Sequence, residues 1–325
     1  MTTPIPLLLN PKAGSLHRSG LKCWLDEHRD SFRLVPTSSA GDLTDKARAL
    51  AEAGAPIVAA AGGDGTLMCA AQGLVGTDAS LGILPCGTMN VFAREMGIGS
   101  RRFDIALEAM QAGKTQPVDI FTVNGKPFLQ MAGFGPDARI VHRVTSKLKK
   151  HFGAFSHVIT AFRVVIESHP LITVKTAKGE EICGIQVILG NGKRYGGEAM
   201  LFANARFDDG KLDAAIIHES TIPILYEVVA CMLQRGATQR NSSETTQIRA
   251  SSSYEITADG KLDYQLDGDY AGTLLPGETA YIEKLPAPLH VCIPLNPVPL
   301  TPLGRFMAHP MVEALQMLIK RAKQF

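Results

Sequence analysis

Missing from this 325-residue sequence are the patterns that mark zinc-bound, disulfide-stapled and membrane-spanning chains. Its six cysteines (Cys23, Cys69, Cys86, Cys183, Cys231 and Cys292) are scattered without a C-x-x-C pair, and its nine histidines form no H-E-x-x-H. Thiols spaced this way read as reduced, and no zinc site is expected. No segment approaches the roughly 18 uninterrupted apolar residues of a spanning helix. The start, Met1-Thr2-Thr3-Pro4, carries no basic n-region before its short apolar run. A cytoplasmic chain, neither secreted nor membrane-spanning, is therefore expected, in which Asn241-Ser242-Ser243 is a glycosylation sequon on paper only. Charge of one sign is also lacking. Lys plus Arg number 33 against 31 for Asp plus Glu, a net +2 that argues against a dedicated nucleic-acid binder. No internal repeat or long low-complexity tract is present.

What the sequence does contain is a set of glycine turns placed after apolar runs. Gly62-Gly63-Asp64-Gly65-Thr66 follows Ile57-Val58-Ala59-Ala60-Ala61 and precedes Leu67, Met68, Ala70 and Ala71, which reads as strand, tight turn and helix start. Glycines let backbone N–H groups approach an anion, and a helix start adds unpaired donors and the positive end of a dipole. Asp64 is out of place there. A carboxylate beside phosphates is repulsive unless a cation intervenes or the carboxylate bonds something else, so it suggests Mg-nucleotide or a substrate hydroxyl. Asn10-Pro11-Lys12-Ala13-Gly14-Ser15 follows Leu7-Leu8-Leu9, and Cys86-Gly87-Thr88-Met89-Asn90 follows Leu81-Gly82-Ile83-Leu84-Pro85. In an open α/β sheet, ligands collect at the carboxyl ends of strands, so the three loops are expected to converge on one nucleotide.

Patterning changes midway. Residues 5 to about 118 alternate apolar runs with helical stretches such as Leu43 to Leu50, predicting an α/β layered domain with a largely parallel sheet. Beyond it, short strands at Ile172–Lys175, Ile185–Leu189, Leu212–Ile217 and Tyr254–Ile256 predict a β-rich sandwich domain. We expect domains at 1–118 and 119–300, with 301–325 as an amphipathic tail. Ser146 to Glu167 mixes basic and apolar residues at near-helical spacing, as one helix or two packed on a core would.

Taken in order and spacing, Asn10-Pro11-Lys12-Ala13-Gly14, the Gly62–Thr66 turn and Gly87-Thr88-Met89-Asn90-Val91-Phe92-Ala93-Arg94 resemble the diacylglycerol kinase catalytic-domain family, which includes bacterial soluble lipid kinases and sphingosine kinases. Gly133-Phe134-Gly135-Pro136-Asp137-Ala138, Gly190-Asn191-Gly192 with Tyr195-Gly196-Gly197, Asp208-Asp209-Gly210-Lys211-Leu212-Asp213 and Leu266-Asp267-Gly268-Asp269 match its later motifs, so the likeness runs from about Pro6 to Pro294. The resemblance implies an ATP- and Mg²⁺-dependent lipid kinase acting on the hydroxyl of diacylglycerol or a related lipid. It implies Asp269 as the base, where the family usually has Glu, with Asp267 orienting substrate or metal and Asp64 in the catalytic crevice. Nucleotide contacts would come from Thr37, Gly62, Gly63, Asp64, Gly65, Thr66, Leu67, Met68 and Thr88, with Asn10 and Asn90 supporting the loops. A structural Mg²⁺ would sit on Asp209 and the carbonyls of Arg206 and Lys211. A plain hairpin at Asp267-Gly268-Asp269 and a metal-free Asp-Asp-Gly turn also fit those residues.

Partners expected on this basis are a lipid substrate and, transiently, the inner membrane face, with homodimerisation left open and no nucleic acid. In the tail, Met311, Val312, Leu315, Met317, Leu318 and Ile319 form an apolar stripe ahead of Lys320, Arg321 and Lys323. It would lie on anionic membrane or pack on a domain. Three alternatives stand beside the lipid kinase. An NAD kinase-like enzyme shares the Gly-Gly-Asp-Gly-Thr turn, Gly133 to Ala138 fits the dinucleotide pattern G-x-G-x-x-A, and a non-catalytic lipid-binding or transfer protein would explain Asp269 as a lost glutamate.

Overall fold

The computed structural model describes residues 3–11, 19–87, 89–143, 167–195, 199–218 and 246–298. In its first half the apolar runs become strands and the amphipathic segments helices: β1 (Ile5–Leu9), α1 (Leu21–Glu27), β2 (Phe32–Pro36), α2 (Ala40–Glu52), β3 (Ile57–Gly62), α3 (Asp64–Leu74), β4 (Ser80–Pro85), α4 (Val91–Glu95), α5 (Phe103–Ala112) and β5 (Thr115–Val118). The second half continues with β6 (Phe121–Val123), β7 (Lys126–Phe128), β8 (Met131–Phe134), α6 (Pro136–Arg143), β9 (Ile172–Thr176), β10 (Glu181–Gly184), β11 (Gln186–Gly190), β12 (Arg194–Tyr195) and β13 (Ala199–Met200). It ends with β14 (Leu212–Ile217), β15 (Thr246–Ser251), β16 (Tyr254–Ala258), β17 (Leu262–Leu266), β18 (Asp269–Leu274), β19 (Ala280–Lys284) and β20 (Leu289–Cys292).

The first sheet has the order β2-β1-β3-β4-β20-β5, in which only the β20–β5 pair is antiparallel. Strands β3 and β4 are apolar on both faces because helices cover both, which is why they read as continuous apolar runs. Ser39 opens α2 by accepting the N–H of Asp42 at 3.1 Å. Strand β20 is the element that patterning did not reveal. It comes from the far end of the chain, yet it completes this sheet between β4 and β5.

The second half is an antiparallel β-rich domain. Sheets β10-β9-β16-β19-β6-β7 and β15-β14-β11-β8-β17-β18 share one core, with Phe121, Val174, Tyr254 and Ile282 from the first meeting Phe134, Val187, Leu212 and Ile216 from the second. Two sheets facing each other across such a core form a sandwich. Strand β8 runs antiparallel to both β11 and β17, so Gly133 to Ala138 does not belong to the parallel βαβ unit that dinucleotide binding uses. Thr88, most of 146–167 and the tail 301–325 lie outside the described residues. Among those described, no helix is long and apolar enough to cross a membrane.

Candidate active site

Neighbouring strands β2, β1, β3 and β4 end on one edge, which gathers Thr37, Asn10, the Gly62–Thr66 turn and the Cys86–Asn90 loop. Thr37 is buried and its N–H bonds Leu9 O at 2.8 Å, tying the β2 end to the β1 end. The two glycine loops touch through their backbones. A Cβ at Gly87 would lie 2.5 Å from the Cα of Gly63, so any side chain there would wedge the loops apart. Thr66 and Leu67 donate their N–H groups to Gly63 O, which starts α3 at Asp64. Leu67 is fully buried in the first core and Met68 packs partly buried against it, so their side chains face inward. Gly65 is exposed. Asn90 is also buried, at φ 50°, and its Nδ2 donates to Gly87 O and Ser100 Oγ at 2.9 and 2.8 Å, which makes it a brace within the loop.

Asp64 has a job that its sequence context did not reveal. Its Oδ2 accepts the N–H of Val91 at 3.2 Å and its Oδ1 that of Phe92 at 3.0 Å, so the carboxylate caps α4 from the neighbouring loop. Removing a cap costs about 0.5–2 kcal/mol. Asp64→Ala is therefore expected to lower unfolding free energy by roughly 1–2 kcal/mol in a denaturant titration, in addition to any loss of turnover. Unchanged stability would mean that the cap contributes nothing.

Across from these loops stands the β17–β18 hairpin. Asp267 and Gly268 have φ of 50° and 89°, the type I′ signature that Asp-Gly favours. The Asp267 carboxylate accepts the N–H groups of Leu129, Gln130 and Met131 at 2.8, 2.8 and 3.0 Å. Burial pushes its pKa up to about 6 against the pull of those amides, and the charge of Asp64 pushes the same way. Leu129, whose N–H the Asp267 carboxylate holds, lies in the first core with Phe92, whose N–H Asp64 holds. Asp269 opens β18 paired with Leu266 and is exposed.

A second polar centre lies at the junction of the halves. Asp119, between β5 and β6, uses every polar atom: its N–H donates to Phe207 O (2.6 Å), its carbonyl accepts Asn191 Nδ2 (2.8 Å), Oδ2 accepts the N–H of Gly210 (2.7 Å) and Oδ1 receives Lys284 Nζ (3.1 Å). Phe207 in turn meets Phe92 edge to face, ring centroids 5.8 Å apart. In the same loop the Arg206 guanidinium pairs with Asp208 at 3.1 Å, and the exposed Asp209 accepts the N–H of Lys211 at 3.0 Å. Burial and the Asp209 charge push Asp213 up to about 6. Among the described residues no group of three or more His, Cys, Asp or Glu could hold a metal. An ion on Asp209 would need main-chain oxygens and water to complete its shell, an all-oxygen set of the kind Mg²⁺ accepts.

Sequence reasoning assigned no role to Asp137 or Gln265. Asp137 is buried on the first turn of α6, where its Oδ2 receives Gln265 Nε2 at 3.2 Å and Tyr195 Oη at 3.4 Å. Burial lifts its pKa to about 6, with the Gln265 bond opposing. A carboxyl raised from 3.8 in the folded state favours folding below about pH 4, and that contribution is lost as pH rises through about 6. Relative to Asp137→Asn, wild-type stability should therefore fall by about 2–3 kcal/mol between about pH 4 and 6.5 and then level off. Paired denaturant titrations check this; parallel curves would show the Asp137 pKa to be ordinary.

Glycine turns at the carboxyl ends of parallel strands and a carboxylate hairpin from a β-sandwich thus belong to one chain of two architectures. Family matching then gives the membership. Residues 4–123 match the diacylglycerol kinase catalytic domain, and residues 130–293 match the YegS C-terminal NAD kinase beta sandwich-like domain. The chain is 30% identical over 264 residues to a diacylglycerol kinase of Bacillus subtilis (strain 168), covering 79% of this chain and 84% of that one. It is 34% identical over 252 residues to a "Probable lipid kinase YegS-like" of Klebsiella pneumoniae (strain 342), covering 73% and 77%. The fold superposes on a crystal structure of a diacylglycerol kinase from Bacillus anthracis str. Sterne with TM-score 0.67 at 20% identity, over 90% of this chain and 97% of that one. The chain belongs to the diacylglycerol kinase catalytic-domain family of lipid kinases, and is a kinase.

Proposed function

We propose that the protein transfers the γ-phosphoryl group of ATP to the primary hydroxyl of diacylglycerol or a related lipid, giving phosphatidic acid or its analogue. The observation that carries this reading is where the two carboxylates attach: Asp64 caps α4 at Phe92, Asp267 accepts the N–H of Leu129, and Phe92 and Leu129 lie in the same core. Nucleotide phosphates would bind the α3 start, at the amides of Asp64 and Gly65, which precede the N–H groups of Thr66 and Leu67 already bonded to Gly63 O. The lipid hydroxyl would approach from the hairpin side, and Asp269, exposed at the head of β18, would accept its proton as the oxygen attacks the γ-phosphorus and ADP departs. Positioning and charge neutralisation carry most of such a reaction. Mg²⁺ accompanying ATP would neutralise phosphate charge, and a structural Mg²⁺ on Asp209 and the carbonyls of Arg206 and Lys211 would stiffen the junction loop. The Asp267 carboxylate, committed to three amides, would orient the hairpin rather than take a proton.

The substrate must be drawn from a bilayer, so we propose transient contact with the inner membrane face. The test is ATP turnover with diacylglycerol, a sphingoid base and NAD offered separately, the lipids in mixed micelles. Faster phosphorylation of NAD than of any lipid would make the NAD kinase-like alternative correct. Lipid-stimulated vesicle binding without ADP formation would identify a binding or transfer protein.

A further inference from the structure

The two carboxylates of the hairpin stand on a turn whose position must be set by something, and Gln265 is placed to set it. The side chain is 1% exposed. Its Nε2 donates to Asp137 Oδ2 at 3.2 Å and its Oε1 accepts the N–H of Gly268 at 2.7 Å. Only one orientation of the amide satisfies both neighbours, since an ionised carboxylate can only accept and a backbone N–H can only donate. Room for this bridge exists because residue 133, the register partner of Gln265 on β8, is glycine: a Cβ there would lie 2.6 Å from Gln265 Nε2. The ladder between β17 and β18 shifts register between Tyr264 and Gln265, so pairing alone does not carry the turn's position outward from the rest of the hairpin.

We propose that Gln265 is a positioning residue for phosphoryl transfer: braced on Asp137, it holds Gly268 and thereby places Asp269. The inference rests on Asp269 being the base. Asp267 anchors the same turn on the other side through Leu129, Gln130 and Met131. Between them the two anchors fix both turn residues, leaving Asp269, next in the chain, little freedom of approach.

A charge-swap cycle tests this. Gln265→Glu keeps the shape but sets a second carboxyl against Asp137, and the pair shares a proton that can rebuild the bridge near neutral pH. Activity is therefore compared up to about pH 9, where loss of that proton is expected to lower kcat about 10–100-fold relative to wild type with KM for ATP within about twofold, because misplacement by about 1 Å costs that order of rate. Asp137→Asn keeps an acceptor for Gln265 through its carbonyl, so its kcat should stay within about threefold. The double variant Asp137→Asn/Gln265→Glu reverses the bond, with the amide introduced on α6 donating and the carboxylate introduced on β17 still accepting from Gly268. Its kcat should return to about the level of Asp137→Asn. At that pH, a double variant no more active than Gln265→Glu, or full activity in Gln265→Glu alone, would overturn the proposal. If Gln265→Glu does not fold, the double variant decides by itself: kcat near that of Asp137→Asn supports the bridge, and low kcat with wild-type melting temperature and KM for ATP refutes it. Loss of the base assignment is separable, because it shows as an active Asp269→Ala whatever the cycle gives.

Discussion

Asp269→Ala is expected to lower lipid phosphorylation by about 10³-fold or more while ATP binding and melting temperature hold, since a positioned general base contributes about 10²–10⁴-fold. Stability should be spared because the side chain is exposed at the head of β18. Single-turnover kinetics with saturating ATP, alongside nucleotide titration, provide the measurement; near wild-type turnover would remove Asp269 from the mechanism. The companion substitution is informative for a different reason. Asp269→Glu introduces the longer carboxylate that the family resemblance implies, and it is expected to preserve or raise activity. A tenfold loss instead would show a site built around the shorter side chain.

Asp267→Ala should be the most destabilising change at the site. It removes the acceptor for three backbone N–H groups at once, and each buried donor left unsatisfied costs about 1–3 kcal/mol. Alanine must also hold the left-handed φ of 50°, which costs about a further 1 kcal/mol. Those figures sum to about 4–10 kcal/mol, and because the amides are only partly buried water recovers some of it, so a loss toward the lower end, about 4–6 kcal/mol, is expected in denaturant titration, with turnover lost in parallel. Asp267→Asn keeps an acceptor and tolerates the left-handed region, so it should recover more than half of the stability. Equal losses for the two variants would mean that the amide contacts are not what the carboxylate contributes.

These two aspartates illustrate where sequence reading succeeds and where it stops. The alternation of apolar runs and glycine turns carried the parallel sheet, because buried parallel strands are written as continuous apolar stretches and their loops must turn sharply. Period-two alternation, as in Ile172-Thr173-Val174-Lys175-Thr176, likewise carried the sandwich. Asp267-Gly268 was legible as a hairpin, and the structure builds one. Partners across long separations were not legible. Nothing near Asp64 announces that Val91 and Phe92 need a cap, and nothing near Asp267 announces Leu129 to Met131. Both contacts depend on which loops the fold brings together. Asp119 left a fainter trace, a charged residue between the apolar Val118 and Ile120, where a buried acid must find partners. Gln265 left none, since its two bonds reach Asp137, far away in the chain, and Gly268 beyond the next turn residue. The return of Leu289–Cys292 to the first sheet was equally silent, because a short apolar strand does not say which sheet it joins.

That return has a topological consequence. Val118 and Leu289 are register partners in adjacent antiparallel strands, so the chain leaves the first sheet and re-enters it at one point. The β-sandwich is thus an insertion into the α/β layer, between β5 and β20. Joining Val118 to Leu289 through a turn of about two to four residues would excise the sandwich yet keep every strand pairing of the first sheet. The remaining layer would lose the cover that Ile120, Leu129 and Phe207 give its core, so the apolar residues they bury, Phe92 among them, are where polar replacements would be needed for it to stand alone. In the intact chain the outgoing and returning segments are themselves bonded, Leu285 N–H to Ile120 O at 2.8 Å. The crossing between the two halves is thus one short paired ribbon, with Asp119 at its base bonded to Phe207, Asn191, Gly210 and Lys284.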